Sequence, residues 1–259
     1  MDRDEVLAAF DRELRRGARP VGPGDRVERA GRVIRYLGDG WDCVIWSGFD
    51  SAVADAEIAA QVSYFTSLGR GFEWKLYGYD QPPDLPSRLL KAGFVPGEEE
   101  TLMVAEIAEL DTEVPPPDGV RLHQVATDAD VDLMMAVHDQ AFGVSSDLAP
   151  ALRAQLAQGS LVAFVAMAGD EPVSAARMEL YPGTGFAGLW SGGTVPGWRG
   201  RGLYRALVAR RARHSPDDER HVLQRHDPLA HDPRPARLSG EGRDTRDPRP
   251  VRCRRDQGR

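Results

Sequence analysis

The sequence predicts an α/β (α+β) fold of two modules, each a mixed, mostly antiparallel sheet flanked by helices, with a disordered or aberrant C-terminal tail outside both. Three observations predict it. Strand-like runs come in neighbouring pairs joined by short Gly/Asp turns and alternate with amphipathic helical stretches, so hairpins and helices must share layers. Pro115-Pro116-Pro117 is a stiff linker between two halves that each carry this pattern. After His214, hydrophobic periodicity stops.

Composition narrows the class. A chain of 259 residues, 41% hydrophobic and 28% charged, allows one large domain or two small ones. Its longest apolar run, Leu161–Ala168, falls far short of the ~20 residues of a membrane span. Met1-Asp2-Arg3-Asp4-Glu5 lacks the basic start and apolar stretch of a secretory leader. Cys43 and Cys253 give neither a disulfide framework nor zinc spacing. A soluble, cytoplasmic protein is expected. Of 33 basic residues 31 are Arg, which suggests a GC-rich coding sequence. Residues 1–214 carry −9 and residues 215–259 carry +2, so the body lacks the basic surface that nonspecific nucleic-acid binding needs.

In the N-terminal module (residues 1–114), Asp4–Arg16 has Val6, Leu7, Phe10 and Leu14 on one face and stops at Gly17. Arg32–Leu37 and Cys43–Ser47 flank Gly38-Asp39-Gly40 as a hairpin. Asp50 or Ser51 caps a helix reaching about Leu68, with Ala54, Ile58, Val62, Phe65 and Leu68 facing inward. Phe72–Tyr79 follows as a strand whose aromatics favour coverage on both faces over a ligand groove. Leu85–Ala92 is a short helix and Leu102–Ile107 a strand.

Beyond the linker (residues 115–119) the second module spans 120–214. Val120–Gln124 is a strand, and Thr127-Asp128-Ala129-Asp130 has the form of a capping box. The helix it opens places Val131, Met135, His138 and Phe142 on one face, where His138 reads as a hydrogen-bonded core histidine rather than a catalytic base. Leu148–Gln158 is a second helix ending at Gly159. Leu161–Ala168 and Val173–Leu180 form a hairpin around Gly169-Asp170-Glu171-Pro172. Phe186–Val195 is a third strand, running into Pro196-Gly197-Trp198-Arg199-Gly200-Arg201-Gly202 and then a helix, Leu203–Arg213.

Strand, Arg/Gly turn and helix together carry chemistry. Glycines let the backbone curl until successive N–H groups converge on an anion. The helix N-terminus adds partial positive charge. Arg199 and Arg201, with Arg205 as a further candidate, supply charge-assisted hydrogen bonds. A phosphorylated small molecule, such as one with a diphosphate, is the expected ligand. The nucleotide P-loop ending and the Gly-x-Gly-x-x-Gly spacing are both absent.

The run Thr194-Val195-Pro196-Gly197-Trp198-Arg199-Gly200-Arg201-Gly202-Leu203-Tyr204-Arg205-Ala206-Leu207 resembles the acetyl-CoA-binding signature of GNAT-type N-acetyltransferases, Gln/Arg-x-x-Gly-x-Gly/Ala. Arg199 takes its first position and Gly202 its central glycine; Tyr204 stands where Gly or Ala is usual. The upstream order of strand, two helices and three antiparallel strands is similar to the same family. The resemblance implies a GNAT-like fold and acetyl transfer from acetyl-CoA, the co-substrate, to a small-molecule amine. It also implies that amides of Gly200, Arg201, Gly202, Leu203 and Tyr204 cradle the pyrophosphate, while Thr194 and Val195 hold the pantetheine arm. No nucleic-acid or membrane partner is expected, and a homodimer is a candidate assembly. The negative body favours cationic amines. The N-terminal half, with Leu89-Leu90-Lys91-Ala92-Gly93-Phe94 at a helix-to-strand junction, resembles a degenerate copy of the family's second half, which makes the chain a tandem. With no Arg/Gly loop after Ser47, no cofactor is expected there.

The tail, residues 215–259, has eight hydrophobic residues in 45, no aromatics and six prolines. It reads either as disordered or as a reading frame shifted near His214. His214, His221, His226 and His231 lack a packed scaffold and partner cysteines, so no metal site is assigned. A complete family member needs further strands here, one of which splays to form the cofactor slot. The chain is therefore expected to be C-terminally incomplete, unless the N-terminal module supplies the absent half of the sheet. Phe186–Val195 carries no carboxylate, and Glu179 on the neighbouring strand is far from Thr194, so no catalytic side chain is assigned. The alternative function is a non-catalytic acyl-CoA-binding or interaction module.

Overall fold

The computed structural model describes residues 2–22, 24–38, 41–143, 147–215, 221–226 and 251–255. It is a mixed α/β structure of two units, one holding Asp2–Leu102 with the strand Val251–Arg255, the other Met103–Gln224. Among the described residues no helix is long and apolar enough to cross a membrane.

The first unit starts with α1 (Arg3–Phe10), capped by Asp2 and continued by a π-helical turn at Asp11–Arg15. Strands β1 (Arg26–Ala30), β2 (Val33–Leu37) and β3 (Asp42–Ser47) form two successive hairpins. Helix α2 (Ala54–Ser67) buries Ala54, Ile58 and Phe65 against the sheet. Strand β4 (Phe72–Leu76) is buried at every position, because Phe72, Trp74 and Leu76 enter the core while Glu73 and Lys75 pair at 2.6 Å on the other face. Helix α3 (Leu85–Lys91) and β5 (Val95–Glu99) complete this stretch.

In the second unit, β6 (Thr101–Glu106) precedes the prolines and β7 (Val120–Gln124) follows them. Helix α4 (Asp128–Phe142) opens with the anticipated capping box, Thr127 Oγ1 accepting from the Asp130 amide and Asp130 accepting from the Thr127 amide. Then come α5 (Ala149–Ala157), the strands β8 (Leu161–Ala168), β9 (Glu171–Leu180) and β10 (Phe186–Thr194), α6 (Leu203–Ala212) and β11 (His221–His226). The last strand is β12 (Val251–Arg255). Two six-stranded sheets result, ordered β1-β2-β3-β4-β12-β5 and β6-β11-β10-β9-β8-β7. In the second, α4 and α5 pack with Ala163, Val165 and Ala175 on one face, while Leu207 of α6 packs with Phe164 and Ala176 on the other.

Four strands were not anticipated: β1, β5, β11 and β12. The first two are short and polar or contain Pro and Gly, as edge and near-edge strands often do. The other two lie in the tail expected to lack regular structure. Val222 and Leu223 bury side chains in β11, and β12 is antiparallel to both β4 and β5. A strand that completes an existing sheet takes its hydrogen bonds from neighbours already in place and needs little periodicity of its own. Residues 227–250 and 256–259 lie outside the described residues. The second sheet is thus not left without its far side: β11 supplies the parallel neighbour of β10, and β6, which precedes the prolines, lies beyond it. The division between units consequently falls at Met103 instead of at Pro115–Pro117.

Candidate functional site

Strand β10 organises the site. It is antiparallel to β9, with a register shift between Trp190 and Gly193 that marks a bulge at Ser191–Gly192. On its other side it is parallel to β11, and among the described residues that pairing covers only Phe186–Gly188 against His221–Leu223. Two parallel strands joined only at their N-terminal ends open toward their C-terminal ends. There β10 hands over to a single 3₁₀ turn, Pro196–Trp198, and then to the Arg/Gly loop.

The loop has the backbone of an anion cradle. Gly200 and Gly202 have φ of 75° and 83°, a region that other residues enter only with strain, and a Cβ at either would meet nothing within 4 Å. Gly202 is the N-cap of α6 and offers no side chain to the first-turn amides. The helical ladder begins only at the Ala206 amide, which donates to the Gly202 carbonyl at 3.1 Å. The amides of Leu203, Tyr204 and Arg205 are therefore the helix end's own donors without intrahelical acceptors. No acidic residue sits in the first turn.

The side chains around that backbone divide into several jobs. Val195 and Leu203 are buried in the core. Thr194 Oγ1 is 2.8 Å from Ser174 Oγ, tying the end of β10 to β9. Arg199 donates to the Thr194 carbonyl at 3.1 Å and to the Ala141 carbonyl at 2.9 Å, so it braces the loop against the end of α4. Arg201 is exposed, with its guanidinium 4.5 Å from the centre of the Trp198 ring and one N–H on the Gly197 carbonyl at 3.1 Å. Tyr204 turns its ring away from the cradle and packs with Leu189, Val208 and Val222. It fits because residue 192 is glycine, where a Cβ would lie 2.4 Å from the ring. The residues singled out in the sequence, from Thr194 to Tyr204, form one continuous turn; the groups it presents outward are amides, glycines and Arg201. This matches a diphosphate in donor type and charge.

The opposite face of β10 holds what the sequence did not reveal. Gly193 permits close approach of α4, since a Cβ there would sit 3.0 Å from Ala141 Cβ and 3.1 Å from the Phe142 ring. One turn earlier on α4, His138 is half-buried, its ring 4.8 Å from that of Phe142. His138 borders a cavity of about 240 Å³ shared with Met135, Leu148, Leu152, Ala175, Arg177 and Gly193, so its ring faces empty space as well as core. Glu179 lies opposite Gly188, and its carboxylate takes the Arg177 Nε–H at 3.2 Å. Sequence spacing put His138 on the apolar stripe but could not show that Gly193 would draw that stripe onto the strand bulge.

No family model and no curated protein matches the sequence. Solved structures do resemble the fold. A GCN5-related N-acetyltransferase from Kribbella flavida superposes with a TM-score of 0.70 at 18% identity, covering 96% of this chain and 93% of its own. A tandem GNAT protein from the clavulanic acid biosynthesis pathway gives 0.59 at 14% identity over 100% of this chain and 97% of its own. A GCN5-related N-acetyltransferase from Sphaerobacter thermophilus gives 0.56 at 14% identity over 97% and 84%.

Proposed function

We propose that this chain, with its tandem GNAT fold, is an acetyl-CoA-dependent N-acetyltransferase acting on the amine of a small molecule. The observation that carries the reading is β10, a strand that parts from its parallel neighbour and runs into a helix whose N-cap is a glycine. A diphosphate at the amides of Leu203, Tyr204 and Arg205 satisfies donors that Gly202 leaves open and sits at the positive end of α6. Arg201 adds a cation within reach of the same turn. The edge of β10 beyond Gly188 offers backbone groups that an extended, amide-containing arm pairs with as an added strand. Acetyl-CoA supplies the activated acyl group as a thioester. The chain binds that group, orients it along β10, and an N–H near the bulge donates to its carbonyl oxygen as negative charge develops.

Titration calorimetry with CoA, followed by thiol release from acetyl-CoA over a panel of amines, tests this. Micromolar binding with turnover of at least one amine is expected; absence of CoA binding overturns it. A second reading, an acyl-CoA-binding module without catalysis, is favoured by the lack of any carboxylate on β10. It predicts CoA binding with no thiol release for every amine.

A further inference from the structure

We infer that the cavity between α4, α5 and the β9–β10 pair receives the acceptor, that the acceptor is a small primary amine with an apolar tail, and that His138 takes the amine's proton. The inference rests on the acetyltransferase reading above and specifies its other substrate.

Position comes first. The cavity is bordered by Gly193, the residue at which β10 regains its register with β9 after the bulge. It therefore opens beside the stretch of β10 along which the acyl group is proposed to lie. It exists because Gly193 lets α4 approach the strand, while Leu148 and Leu152 of α5 wall it from the other side.

Lining then decides the ligand. Met134, Met135, Val137, Leu148, Leu152 and Ala175 make most of the wall apolar. A space of about 240 Å³ holds one small molecule and is below the usual range for drug-sized ligands. A long polyamine or a polyhydroxylated amine would leave most of its polar groups without partners against such a wall. The two polar members are His138 and Arg177. Arg177 has its charge matched by Glu179 at 3.2 Å, so it adds no unpaired cation to repel an ammonium group.

His138 is the cavity's proton acceptor, as imidazole is the side chain that exchanges a proton near neutral pH. The charged groups facing it are Asp139 on its own helix, 3.4 Å from Nδ1, and on β9 Arg177 with Glu179. Arg199 braces the carbonyl of Ala141, three residues further along α4. Along the cavity α5 contributes only the uncharged Leu148 and Leu152, and β10 only Gly193. In the step proposed, an ammonium gives one proton to His138 and becomes the free amine. The nitrogen lone pair then forms the N–C bond, the C–S bond breaks, and its electron pair leaves on sulfur. The second amine proton neutralises the departing thiolate through solvent, and His138 returns its own proton to water.

The test uses the full chain with acetyl-CoA and two probes, 2-phenylethylamine and spermidine, across pH 6 to 9. Phenylethylamine is expected to be acetylated with kcat/KM at least about tenfold above spermidine. Met135→Trp, which fills the cavity, should lower kcat/KM for phenylethylamine by about tenfold or more. His138→Gln should lower kcat by roughly a hundredfold or more and abolish the limb in which kcat rises with pH. Both variants should retain CoA affinity by calorimetry, which also reports that they fold. Unchanged amine turnover in both, a retained pH limb in His138→Gln, or preference for spermidine overturns the inference. So does a wild-type chain that binds CoA yet acetylates neither amine, which leaves the CoA site standing. Failure of the wild type to bind CoA overturns the acetyltransferase reading and this inference with it.

Discussion

Gly202 matters twice over: at φ 83° it turns the chain into α6, and as an N-cap without a side chain it leaves three amides for an anion. The two arginines beside it are not equivalent. Arg199 already spends two N–H groups on the Thr194 and Ala141 carbonyls, so its removal loosens the loop. Arg201, exposed over Trp198, is the side chain able to reach a phosphate. Arg201→Ala is expected to weaken CoA binding by about 1.5 kcal/mol, near the lower end for a hydrogen bond to a charged group because the site is exposed. Calorimetry at low salt checks this, and added salt should shrink the difference. Asp130 gives a pH signature. Burial pushes its carboxyl up, but the His123 ring, the Ala126 and Thr127 amides and the Thr127 hydroxyl together hold it well below the usual carboxylate range. A depressed folded value contributes stability that is present above about pH 4, the unfolded value, and is lost as pH falls through the folded one. Asp130→Ala should therefore cost roughly 1–2 kcal/mol at neutral pH, and urea melts should show the gap to wild type closing progressively below about pH 4.

Elements with their own periodicity were legible in the sequence. Helix α4 announces itself by a capping box, and β8, β9 and β10 by apolar runs between Gly/Asp turns; each lies within two residues of its expected bounds. What escaped was structure made by partners. Strand β1, Arg-Val-Glu-Arg-Ala, exists because β2 offers it a hairpin edge. Val-Pro-Gly-Glu-Glu in β5 is a strand because β12 lies beside it. The candidate site divides the same way. The Arg/Gly turn is local and was visible as a motif, whereas the cavity depends on Gly193 meeting α4 from some fifty residues earlier, and the fit of Tyr204 depends on Gly192. Strand β12 carries a direct prediction. A chain ending at His226 removes the strand between β4 and β5, and its first unit should unfold at lower urea concentration. An unchanged midpoint in tryptophan fluorescence, with Trp41, Trp46 and Trp74 in that unit, would contradict the topology.

At the scale of the whole molecule, two units share a plan but not a chemistry. In the first, β3 and β4 are parallel only at Cys43–Glu73 and Val44–Trp74, a short pairing like that of β10 and β11. Next to it, Arg15, 1% exposed, donates to the Ile45 carbonyl at 3.1 Å and to both oxygens of Asp80 at 2.7 Å. Burial alone would lower the Arg15 pKa, but the Asp80 charge outweighs it and keeps the guanidinium ionised. An internal ion pair so placed fills the first unit's opening, and Ser47 leads into no Arg/Gly turn. Calorimetry should accordingly give one CoA per chain; two would contradict this division. The claim beneath all of these is that main-chain amides at the start of α6 grip the diphosphate. Amide hydrogen exchange of residues 200–206, measured with and without saturating CoA, tests it most directly. Slowed exchange at Leu203, Tyr204 and Arg205 is the predicted result, and unchanged exchange there while CoA is bound would contradict it.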